Sequence, residues 1–77
     1  SMACINSDGS LSGAAKKVLG AMQSPTRLED VSESTMLPLY RIRASVRELI
    51  EAGLAEERDG LYVITPTGQA RLSGQSK

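Results

Sequence analysis

The sequence predicts a small α+β domain, mainly α with a small β-hairpin, built around one aliphatic core. Three observations carry this. Leu11, Ala14, Ala15, Val18, Leu19 and Met22 fall at i, i+3, i+4, i+7, i+8 and i+11, and Leu39, Ile42, Val46, Leu49 and Ile50 follow a helical period too. Each set forms the apolar stripe of a core-facing helix. Leu28 and Val31 give a shorter apolar face between them, with brief connections on either side. Beyond them, residues 54–57 and 61–65 read as two strands around Arg58-Asp59-Gly60.

Helix 1 is expected from about Ser10 to Met22, with Ser10 as N-cap and Ser24-Pro25 as the break. Thr26 and Glu29 have the capping-box spacing, so helix 2 opens at Thr26 and ends near Ser34. Thr35-Met36-Leu37 is a tight connection. Helix 3 begins at about Pro38, a residue suited to the first helical position, and Gly53 is its left-handed stop. The hairpin allows two registers. A three-residue loop pairs Leu54 with Ile64 and Glu56 with Tyr62, which puts Leu54, Tyr62 and Ile64 on one face. A two-residue Asp59-Gly60 turn changes that register; the first arrangement is preferred because it gives the more sensible core. A last short helix starts at Thr65-Pro66-Thr67, capped by Thr65 with Pro66 at N1, and Ala70 or Leu72 returns its apolar side to the core. The domain thus spans residues 10–73. Residues 1–9 read as a polar, flexible leader, in which Ser1 ahead of Met2 has the form of a cloning remnant, and 74–77 as a flexible end.

Seventy-seven residues suffice for one domain. A chain of this size buries only about 60% of the surface exposed when unfolded, so small losses of packing matter. Tyr40 and Tyr62 are the only aromatic residues, so the core must be aliphatic. Nine Lys and Arg balance nine Asp and Glu. Zero net charge argues against a binder held by bulk phosphate attraction; any affinity for nucleic acid must come from a local cluster of cations. Histidine is absent and Cys4 stands alone, which excludes a disulfide framework within one chain and a zinc cluster. Cys4 reads as an incidental thiol in the leader rather than a redox sensor. Without histidine, a serine or cysteine nucleophile lacks its usual base. Glu56, Glu57 and Asp59 crowd a hairpin that is too open for a metal site and has no pocket to raise a carboxylate pKa. Catalytic residues, metals, cofactors and small-molecule ligands are therefore not expected. No stretch approaches the ~20 apolar residues of a bilayer span. The first residues lack the pattern of a secretion signal, and the expected location is cytoplasmic.

The short link between the second and third helices forces a steep crossing, and the third runs directly into the hairpin. Here the chain resembles the winged helix-turn-helix superfamily of bacterial and archaeal regulators. Leu28-Glu29-Asp30-Val31-Ser32 looks like the first helix of the motif, with Ser32 small enough for close crossing. Ile42-Arg43-Ala44-Ser45-Val46-Arg47-Glu48-Leu49 looks like a recognition helix, and Ile50-Glu51-Ala52-Gly53-Leu54 is similar to its usual exit. Tyr62-Val63-Ile64-Thr65-Pro66-Thr67-Gly68 resembles the second wing strand and last helix of MarR-like and PadR-like proteins. The resemblance covers residues 11–72 and implies a three-helix core, a two-stranded wing and a short C-terminal helix. Two positions depart from it. Met36 stands where the turn usually holds glycine, and Leu37-Pro38 where a Ser or Thr cap is usual.

That resemblance implies a DNA-binding transcription-regulator module, with the helix at about 38–52 in the major groove of double-stranded DNA. Its polar face offers Tyr40, Arg41, Arg43, Ala44 and Arg47, the arginines to bases or phosphates and Tyr40 to the backbone. Arg27, Lys16, Lys17 and Arg58 are candidate phosphate contacts at the edges. The opposing reading is an ordinary solvated face, with Arg47 and Glu51 as an i, i+4 ion pair. An acidic wing tip (Glu56, Glu57, Asp59) is expected to contribute little to DNA binding. One module offers a small contact area, so a weak homodimer through helix 1, or a partner protein, is expected. The alternative is a winged-helix protein-interaction adaptor without DNA binding, using an apolar hairpin edge of Leu61 and Val63.

Overall fold

Ser12, not Ser10, opens the first helix. In the computed structural model, which describes residues 10–74, its hydroxyl accepts the Ala15 amide at 3.1 Å. Helix α1 is Gly13–Gly20. Leu11 therefore reaches the core from the segment ahead of the cap, and Met22, equally buried, from the turn beyond the helix. The helix stops short of Met22 because the chain turns there: the Met22 carbonyl accepts the Ile64 amide of the hairpin at 2.8 Å. Residues 1–9, Cys4 among them, and 75–77, expected to be a flexible leader and end, lie outside the described residues.

Helix α2 is Leu28–Thr35. The expected capping box does not form. Thr26 exchanges both backbone hydrogen bonds with Tyr62, at 2.9 and 2.8 Å, so it is strand-like. Arg27 takes the N-cap position without a side-chain cap, and Glu29 and Asp30 lie at the positive end of the helix instead. Met36 ends α2 with φ 64° and ψ 23°, the left-handed conformation that glycine adopts most readily. The Ser32 hydroxyl donates to the Leu37 carbonyl at 2.6 Å, and that of Thr35 to the Val31 carbonyl at 2.7 Å, which fastens the turn.

Helix α3 is Leu39–Glu51, with Pro38 at the N-cap rather than at the first helical position. The Pro38 carbonyl accepts from both Arg41 and Ile42, so the ring precedes the helix and removes no donor from it. Ile42, Ser45, Val46 and Leu49 face inward. Ile50, expected to be inward as well, is 37% exposed. Gly53, φ 79°, ends the helix as a Schellman motif: the Leu54 amide bonds the Leu49 carbonyl and the Gly53 amide that of Ile50.

That motif takes Leu54 out of the hairpin. The strands are β1, Ala55–Arg58, and β2, Leu61–Ile64, and the pairs are Ala55 with Ile64, Glu56 with Val63, Glu57 with Tyr62 and Arg58 with Leu61. The preferred three-residue loop is therefore replaced by the two-residue turn. Asp59 and Gly60 have φ 55° and 82°, the pair of positive angles of a type I′ turn, whose twist matches that of the strands. Val63, expected outward, is buried.

Helix α4, Pro66–Ser73, has the expected Thr65 cap and Pro66 at its start. Leu72 packs against the core while Ala70 is exposed. Gly68 is the buried residue of this helix. A Cβ there would lie 2.0 Å from the Leu54 carbonyl oxygen, so only glycine allows α4 to close on the chain after α3. The described residues form an α+β domain of four helices and one two-stranded antiparallel sheet. No described helix is long and apolar enough to cross a membrane.

Candidate nucleic-acid interface

The burial of Ile42, Ser45, Val46 and Leu49 fixes the rotation of α3. At about 100° per residue, the row pointing most directly away from the core is Tyr40, Ala44, Arg47 and Glu51. All four are exposed, Tyr40 by 71%. The three arginines separate. Arg43 lies on the flank toward the hairpin, Arg47 on the outward row, and Arg41, half-buried, on the opposite flank.

Charge is unevenly distributed along the helix. Leu39 to Arg47 contains three arginines and no carboxylate, whereas the last turn carries Glu48 and Glu51. Among the described residues, Arg41, Arg43 and Arg47 enter no ion pair. The i, i+4 pair considered for Arg47 and Glu51 is accordingly not formed.

Between α3 and the hairpin runs an open groove of about 430 Å³. Leu28, Val46, Ile50 and Tyr62 supply its apolar lining, and Arg43, Arg47, Glu51 and Glu57 the charged groups. Ile50 is exposed because it lines this groove rather than the core. Its position four residues after Val46 was compatible with either role, so the apolar period could not distinguish them. Glu57 enters the groove because the two-residue turn places it opposite Tyr62.

The remaining cations divide among different surfaces. Arg27 shares a second hollow with Arg43, Gly60 and Tyr62, and lies 3.7 Å from Glu29 in an exposed ion pair. Such a pair holds its partners weakly. Arg58 pairs with Glu56 two residues back along β1, on the face of the hairpin opposite Glu57 and Tyr62. Lys16 and Lys17 are exposed on α1, and Lys17 lines a separate hollow with Ser34, Thr35 and Met36. The structure thus places Arg43 beside Arg47 in one groove and beside Arg27 in a second hollow, and leaves Arg41, Arg58 and Lys17 on other surfaces. Comparisons with family models, with curated proteins and with solved structures each gave no significant match.

Proposed function

We propose that this chain is a winged helix-turn-helix module that binds double-stranded DNA as part of a transcription regulator. In this reading α2 and α3 are the helix-turn-helix, α3 is the recognition helix, and β1 and β2 are the wing. The observation that carries it is the N-terminal part of α3: three arginines, no carboxylate, and no ion pair among the described residues to hold them. A recognition helix reads bases with its N-terminal residues, and arginine serves both phosphates and guanine edges. The acidic last turn and Glu57 confine the contact to that part. The module binds rather than catalyses, and two copies on adjacent half-sites supply the contact area that one lacks.

The test is fluorescence anisotropy with duplex DNA at low salt. The chain binds, and the combined Arg43→Ala and Arg47→Ala variant loses binding while its circular dichroism is unchanged. Equal affinity for the two proteins refutes the role of α3. A second reading is favoured by the apolar lining of the groove and by the exposure of Ile50: a protein-interaction adaptor. It predicts that Ile50→Asp abolishes partner binding and that the double arginine variant leaves DNA affinity negligible and unchanged.

A further inference from the structure

The outward row of α3 changes character from one turn to the next. Tyr40 carries a ring with a hydroxyl, Ala44 ends at a methyl group, Arg47 carries a guanidinium and Glu51 a carboxylate. Ala44 sits between two long side chains, so the helix backbone can approach a facing surface most closely there. From Tyr40 to Arg47 the row spans roughly 10 Å, at about 1.5 Å per residue. That length matches three base-pair steps of about 3.4 Å. Arg43 and Arg41 flank the row on opposite sides, placed toward the two phosphate backbones that wall a major groove.

The edges of the bases differ in what they offer such a row. Thymine alone presents a methyl group in the major groove, and guanine presents the O6 and N7 acceptors that fit a guanidinium. Resting on the DNA-binding reading above, we propose that Ala44 and Arg47 make this module selective for a thymine and a guanine within one stretch of about three base pairs. The Ala44 methyl packs on the thymine methyl. Arg47 donates two hydrogen bonds to guanine. Glu51, next along the row, repels phosphate and ends the readout.

The experiment selects duplexes bound by the 77-residue protein from a random pool at low salt, then remakes the selected duplex with deoxyuridine in place of thymine. This removes only the methyl group. The selected duplexes share a thymine and a guanine, and the uracil form binds roughly threefold to fourfold more weakly, the worth of one buried methyl. Ala44→Gly binds the two forms equally. Ala44→Gln, which retains a helix former at this exposed site, moves the preference from thymine to adenine. Arg47→Lys loses the choice of guanine while keeping its positive charge. Selected duplexes without a shared thymine, or equal affinity of the unaltered protein for the two forms, overturn this inference and leave the DNA-binding reading standing. Failure to enrich any duplex overturns both.

Discussion

The Thr65 hydroxyl donates to the Gly53 carbonyl at 2.7 Å, tying the entry of α4 to the exit of α3. The same oxygen accepts the Gly68 amide at 3.0 Å, so one side chain caps α4 and fastens it to the chain after α3. Thr65→Val keeps the shape and removes both bonds. Loss of a cap costs about 1–2 kcal/mol. In a domain of this size each kcal/mol lowers the melting temperature by roughly 4–8 °C. A melt followed by circular dichroism checks this, and an unchanged midpoint contradicts the double role.

Gly68→Ala is the more severe change beside it. The added carbon would lie 2.0 Å from the Leu54 carbonyl oxygen and 2.8 Å from Ile64 Cγ1. The first of these is backbone and cannot rotate away. The cost is expected at or above the upper end of overpacking penalties, about 3 kcal/mol. Urea unfolding of the variant, compared with the parent chain, reads it directly, and a loss under about 1 kcal/mol speaks against this packing.

Met36→Gly should stabilise the chain. The left-handed conformation costs a side-chain-bearing residue about 1–2 kcal/mol. Met36 is 87% exposed, so truncation removes little packing. Glycine's greater freedom in the unfolded chain takes back about 0.5–1 kcal/mol, for a net gain of up to about 1.5 kcal/mol. A midpoint shift toward higher urea is the expected result; a shift the other way shows that the methionine side chain contributes something its exposure conceals.

Glu57→Lys separates the two functional readings. It replaces a carboxylate in the groove beside Arg43 and Arg47 with a cation. If the groove meets DNA, affinity rises and the plot of log K against log salt steepens by about 0.9 for one added phosphate contact. Titration at several salt concentrations measures both. An unaltered slope places DNA, if it binds, away from the hairpin.

Much of this architecture could be read from the chain, and the failures share a physical cause. The Gly53 exit and the Thr65-Pro66 start are local signals and appear where expected, and the apolar stripes locate α1 and α3, though α1 is shorter than its stripe and Ile50 leaves that of α3. The turn at Met36 was recognisable as an unusual residue at a position that favours glycine. The errors lie where two partners compete for one backbone group. Thr26 had the spacing of a cap, but its backbone is claimed by Tyr62 from across the chain. Leu54 was assigned to a strand on apolar pattern, whereas the Schellman motif uses its amide. That shift of one residue reversed the faces of β1 alone: Tyr62 and Ile64 still pack on the core, but Ala55 and Glu57 now share their side in place of Leu54 and Glu56, which turns Glu57 into the groove. Gly68, in the first turn of a helix where glycine costs stability, was the available sign of a close approach. At the candidate interface, sequence located the arginines. Two residues apart on a helix, Arg41 and Arg43 had to fall on opposite flanks, but sequence could not reveal that Ile50 lines a groove.

The Thr26–Tyr62 bridge has a consequence for recognition. Together with the Ile64 amide on the Met22 carbonyl, it fastens the second strand of the hairpin to the segment leading into α2, while the Schellman turn fastens the first strand to α3. Both walls of the groove are therefore set by main-chain bonds formed as the domain folds. The backbone of the groove is thus in shape beforehand, and a partner of the kind proposed would have side-chain rather than main-chain entropy to overcome on association. So small a surface can then spend its few contacts on discrimination rather than on ordering itself.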